Sequence, residues 1–128
     1  MFKNLTNKGL AVALLQLSFG INYFFHGVVR LPKLSKFVAG MQAGFSETLL
    51  PELFVTPLAY IIPFAEIAIG ALLIINKFAK QTIIAAFVLM NILVVGSCFA
   101  ENWANVGLQT TYIGFLFLLL FFLSEKEA

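Results

Sequence analysis

Glu66 is the only formally charged residue inside any long apolar segment of this chain. It sits in the run TPLAYIIPFAEIAIG, residues 56–70, which reads as part of a membrane-spanning helix. A carboxylate in hydrocarbon is costly unless it is neutralised, paired or wetted, so Glu66 must face something other than lipid. Pro63, three residues earlier, removes a backbone donor and frees the carbonyl of Ala59, adding a polar group nearby. In the preceding apolar segment, Ser18, Asn22, His26 and Arg30 recur at steps of four, on one slowly drifting helical face. Leu14, Leu17, Ile21, Phe24 and Phe25 hold the opposite positions, suited to lipid or to packing. A polar stripe on a spanning helix is expected to point inward.

These groups are enough for quinone chemistry, which needs an apolar slot, aromatic walls and one or two groups that hydrogen-bond or exchange a proton at a carbonyl oxygen. Glu66, His26, Arg30 and Asn22, walled by aromatic residues such as Tyr23 and Tyr60, form the candidate binding set. The same residues also fit a structural role. Glu66 paired with Arg30 or His26 would fix helix packing, and the stripe would serve as interhelical hydrogen bonding.

Other chemistries lack their residues. The single histidine, His26, cannot supply both axial ligands of a b-type haem and reads as a hydrogen-bonded core or interface residue. No His, Cys or carboxylate cluster has metal-ligand spacing, and no Gly-rich phosphate loop follows a strand. Ser18 and Ser97 carry no nucleophile signature. Cys98 is alone, which rules out an internal disulfide or a Cys-x-x-Cys pair and leaves a small packing residue. No catalytic residue and no metal is expected, nor enzyme activity by this polypeptide alone.

The elements that must position these side chains follow from composition. Hydrophobic residues make up 61% and charged residues 11%, with mean hydropathy +0.98; soluble domains carry roughly 25% charged residues, so this is a membrane protein. The expected fold is all-α: one membrane domain over residues 1–128, a four-helix bundle with spans at about 10–29, 54–75, 82–100 and 105–123. Each span meets the roughly 20 residues needed to cross hydrocarbon. The first is followed by Arg30-Leu31-Pro32-Lys33 rather than a small-residue cleavage site, so it reads as a helix and not a signal peptide. Pro32 predicts a break, and Leu34, Phe37, Val38, Met41 and Phe45 then mark a short amphipathic helix lying in the interface or capping the bundle. The second span is expected to start near Leu53 or at Thr56-Pro57, with Thr56 as cap. Asn91 falls near the middle of the third span, Trp103 suits an interfacial connection, and the Phe- and Leu-rich run 115–123 is expected to face lipid.

Lys3, Lys8, Lys77, Lys80 and Lys126 share one side against Arg30, Lys33 and Lys36 on the other, which places both termini in the cytoplasm by the positive-inside rule. The net charge of +2 is spread between loops and offers no nucleic-acid patch. A helix entered at Pro57 puts Glu66 about 13–15 Å below the outer boundary. Asn22 lies at similar depth and His26 about one turn shallower, with Arg30 able to reach inward on its long stem. The four can converge if the first two spans pack together.

Gly20, His26-Gly27, Arg30-Leu31, a short amphipathic segment and then Pro63-x-x-Glu66-x-x-x-Gly70 resemble, in order and spacing, the DoxX family of small four-helix membrane proteins. The likeness covers roughly residues 14–75. The family often has an arginine early in the first helix, where Gln16 stands here; that departure removes one partner for Glu66. The resemblance implies a redox connection, since one branch resembles a subunit of thiosulfate:quinone oxidoreductase. The resulting expectation is a subunit of a redox-linked complex in a bacterial-type cytoplasmic (inner) membrane, with a protein partner or homo-oligomer and a quinone or proton-handling site. The alternatives are a non-catalytic anchor or assembly subunit and, behind it, a small proton-coupled transporter.

Overall fold

The computed structural model describes residues 6–123, all of whose regular elements are helical. Lys3 and Lys126 lie outside the described residues. Thr6 opens the first helix, α1 (Asn7–Val28), by accepting from the amide of Gly9 at 3.1 Å, so the helix begins earlier than hydropathy alone suggests. The expected break follows as a 3₁₀ turn at Leu31–Lys33 with Pro32 inside it. Next come α2 (Leu34–Phe45), α3 (Glu52–Ile74), α4 (Ala79–Phe99) and α5 (Trp103–Phe121). Four stretches are long and apolar enough to cross a membrane: the one containing α1, then α3, α4 and α5. The protein is an all-α integral membrane protein, with α2 as the short amphipathic helix between the first two spans.

The second span starts at Glu52, beside the first of its two expected starts, Leu53, and not at Thr56-Pro57: Pro51, in an extended conformation, precedes α3, so both Pro57 and Pro63 fall inside that helix. Thr56 is therefore no cap; its hydroxyl accepts from the Gln42 amide at 3.0 Å and ties α2 to α3. Trp103 is the first residue of α5 and not part of the connection, because the Asn102 side chain caps the helix by accepting from the amide of Asn105. The connection after α3 is tight, with Asn76 and Phe78 both in left-handed backbone geometry.

The centre of the fold is the α1–α3 pair. Its seam is made of residues without side chains: Gly20 and Gly27 on α1, and Gly70 on α3. A Cβ at Gly70 would stand 2.6 Å from the Gly20 carbonyl oxygen and 2.6 Å from the Phe24 Cα. Such contact between backbones lets two helices approach as closely as membrane helices do at small-residue interfaces. Around the seam pack Phe19, Tyr23, Ile62, Ile69 and Leu73, joined by Ile83, Leu89 and Met90 of α4 and by Leu116 and Leu119 of α5. The run at the end of α5 is thus split: Phe117 and Phe121 point outward, while Leu116 and Leu119 are fully buried.

The polar stripe of α1 is not the buried face. That face is Val12, Ala13, Gln16, Phe19, Gly20, Tyr23 and Gly27. A step of four residues overshoots one turn by about 40°, so Ser18, Asn22, His26 and Arg30 wind around the helix rather than along it. Ser18 is exposed, and its hydroxyl donates to the Leu14 carbonyl at 2.9 Å. Asn91 is likewise exposed on α4, its amide donating to the Phe87 carbonyl at 2.8 Å. Among the described residues of the stripe, Arg30 is the one that makes a side-chain bond to α3.

Candidate intramembrane ligand site

Glu66 is buried on the α1-facing side of α3, among Ile62, Pro63, Ile69 and Gly70. One guanidinium nitrogen of Arg30, Nη1, donates to Glu66 Oε1 at 2.6 Å. The two side chains differ sharply in exposure, 33% for Arg30 against 5% for Glu66. The long apolar stem of arginine carries the cation in from the end of the helix while the carboxylate stays inside. The Phe37 ring of α2 lies 4.6 Å from the guanidinium carbon, giving Arg30 a second, cation–π support. The neighbouring turn of α1 adds His26, whose Nδ1 bonds to the Asn22 carbonyl at 2.8 Å. A carbonyl oxygen only accepts, so Nδ1 carries the proton in that bond and Nε2 is left for another partner.

Asn22, His26, Arg30 and Glu66 all line one cavity of about 780 Å³. The convergence expected from helix depth is present, and it brings the pair Glu66–Arg30 rather than Glu66–His26. The cavity is walled by Leu58 and Ile62 of α3, Met90 and Leu93 of α4, and Phe37, Met41 and Phe45 of α2. Its size and apolar lining with a few polar groups are those of a small-molecule site. Tyr60 is not among the lining residues; it is exposed on the outer face of α3. Tyr23 is a wall residue, as expected.

Of the polar lining residues outside the candidate set, two stand out. Tyr23 Oη and the side-chain oxygen of Gln109 on α5 are buried and have no hydrogen-bond partner among the described residues, and both residues line the cavity. Buried polar atoms are rarely left unpaired, which makes these two the most unusual polar atoms of the wall. Gln109 belongs to the polar first turns of α5 (Gln109, Thr110, Thr111, Tyr112), and that cluster was the signal in the sequence. Thr110 and Thr111 satisfy their hydroxyls on backbone carbonyls one turn back. Gln16 plays a different part. Its amide donates to the Leu73 carbonyl at 3.0 Å and to Asn76 Oδ1 at 2.8 Å, at the far end of α3. Leu73 is seven residues beyond Glu66, about 10 Å along the axis, so residue 16 ties helix ends together rather than serving the carboxylate.

No curated protein and no solved structure matches the chain. The family model described as "Methylamine utilisation protein MauE" matches residues 8–111, from the start of α1 into α5. This overturns the resemblance to DoxX. The motifs that suggested it, Gly20, Gly27, Arg30, Pro63, Glu66 and Gly70, are the seam and the ion pair of one helix–helix contact. They report how α1 meets α3, and close packing of two membrane helices demands such residues in any family. With four-fifths of its length matched, the chain belongs to the MauE family.

Proposed function

We propose that this protein is the membrane subunit of a larger, redox-linked assembly, and that its cavity binds the ring of a quinone beside Glu66. One observation carries the reading: a charged pair, Arg30–Glu66, is held against the wall of an apolar cavity inside the span. In this reading Arg30 and the Asn22 side-chain amide donate to a quinone oxygen, the Nε2 of His26, an acceptor while Nδ1 holds the proton, accepts from the hydroxyl of the quinol, and Glu66 exchanges one of the two protons taken up on reduction. The electrons come from a partner subunit, since the chain is not proposed to be an enzyme alone. The family description supports the redox link through chemistry. Releasing the nitrogen of methylamine by oxidation to the aldehyde yields two electrons, and a membrane quinone accepts two. The whole chain then acts as one membrane domain in a cytoplasmic membrane of bacterial type. Both termini lie on the cytoplasmic side, where Lys8, Lys77 and Lys80 are found, and Arg30 and α2 on the opposite side.

The test is native extraction in mild detergent, with mass spectrometry of copurifying proteins and lipids. Near-stoichiometric quinone that is lost in Glu66→Gln, together with a redox partner, is the expected result. A stable partner without redox groups, no quinone, and indifference to Glu66→Gln would replace this reading with that of a non-catalytic anchor. That second reading is favoured by one feature, the use of Arg30 and Glu66 as a bond between helices. Proton-coupled transport ranks behind both, because a small helical chain would need to oligomerise to form a pathway.

A further inference from the structure

A second concavity lies between α3 and α4, with a volume of about 710 Å³. Ala65 and Ala68 on α3 and Ala85 on α4 create it, because their short side chains leave a trough between the larger residues above and below. Its lining runs from Leu58 to Leu72 on α3, fourteen residue steps, or about 21 Å of helix. That is most of the roughly 30 Å of a hydrocarbon core. Gln81 and Thr82, at the end near the α3–α4 connection, are its only polar lining residues among the described residues. Leu58, Ile62 and Ile92 line both this trough and the cavity that holds the Arg30–Glu66 pair. The two spaces therefore adjoin along the same three side chains.

We infer that the trough holds the isoprenoid tail of the quinone whose ring occupies the Glu66 cavity. This rests on the quinone reading and adds the ligand's form: a ring with a long hydrocarbon chain rather than a short water-soluble quinone. The chemistry of the two spaces matches the two parts of such a molecule. One has hydrogen-bonding and charged groups, and the other is apolar and long. A partner helix fits less well, because between Leu58 and Phe78 the trough offers no polar group to fix an interhelical contact, and its continuity with the cavity would be unused.

The experiment uses the full chain in detergent and two quinones with one ring: ubiquinone-0, without a tail, and ubiquinone-2, with two isoprene units. Native protein is expected to bind ubiquinone-2 at least tenfold more tightly. Ala68→Phe and Ala85→Phe, which fill the trough and leave the ring cavity untouched, should each bring the ratio close to one with ubiquinone-0 affinity unchanged. A ubiquinone-2 analogue with a photoreactive tail end should label α3 or α4 between residues 65 and 85, which tests the assignment without any substitution. Equal binding of the two quinones, or a ratio that survives both substitutions with no labelling there, overturns the tail site and leaves the ring site standing. Labelling abolished by added phospholipid while ring binding persists assigns the trough to lipid and overturns it too. Failure of both quinones to bind native protein refutes the quinone reading and this inference together.

Discussion

Gly70→Ala adds one methyl group at the place where α1 and α3 come closest. The new Cβ would lie 2.6 Å from the Gly20 oxygen and 2.6 Å from the Phe24 Cα, and nearer still to the Phe24 amide nitrogen. Carbon contacts relax at about 3.5 Å or more, so the helices must part by roughly 1 Å. All three obstructing atoms are backbone, so no rotamer change relieves the clash. Overpacking of this kind costs about 1–3 kcal/mol, and the rigid surroundings place this case near 3 kcal/mol. For a chain of this size that is a fall of roughly 10 °C in melting temperature. Gly27→Ala should behave similarly, since its Cβ would meet the Pro63 carbonyl and Ile67. Gly20→Ala should be milder, because its nearest neighbour is the movable Ile74 side chain at 2.8 Å. Gly114→Ala, with open space around it, should be neutral or slightly stabilising. Thermal melts of the purified proteins in one detergent, read by gel filtration of the surviving monodisperse fraction, give the ranking. Equal melting temperatures for Gly70→Ala and Gly114→Ala would show that the α1–α3 seam is not where the structure puts it.

Three further outcomes follow from named contacts. Arg30→Leu strands a buried carboxylate and should cost about 3–5 kcal/mol, whereas Arg30→Leu combined with Glu66→Gln should recover more than 1 kcal/mol of that; additive losses in the melts would mean the pair does not interact. Gln16→Leu removes two hydrogen bonds at the end of α3 and leaves Asn76 without its donor, a loss of about 1–3 kcal/mol, yet quinone content should not change. Lost quinone without lost stability would instead put residue 16 at the ligand. Tyr23→Phe deletes a hydroxyl that has no partner among the described residues, so ligand-free protein should melt at the same or a higher temperature. A marked fall would reveal a partner for that oxygen.

Much of this arrangement was legible because hydrocarbon leaves so few options. Apolar runs of spanning length, separated by Pro32, Pro51, the 76–80 connection and Asn102, had to become helices. Glu66 had to be buried against protein for the same reason, and a long cationic side chain within reach at the same depth made Arg30 a natural partner. The i+4 stripe misled where this constraint was weakest. Ser18 and Asn91 can point outward because each satisfies its own polar atom on the backbone carbonyl one turn back. Spacing cannot distinguish such a residue from one that bridges helices.

The family resemblance failed in an instructive way. Glycines at 20, 27 and 70 with a charged pair beyond them describe a close helix crossing, and that physical requirement is not the property of one family.

By itself the sequence determined the helices, their order, the need to bury Glu66 and the amphipathic segment that follows α1, because each is enforced locally by hydropathy, proline and the cost of a bare charge. Only the tertiary structure decided which faces meet. The glycine seam sets the rotation of α1 against α3, and that rotation turns Gln16 and Tyr23 inward and Ser18 out. The packing of α5 on α4 brings Gln109, distant in sequence from Glu66, to the wall of the same cavity. Rotation about a helix axis is fixed by contact between distant segments, which no local stretch of sequence encodes.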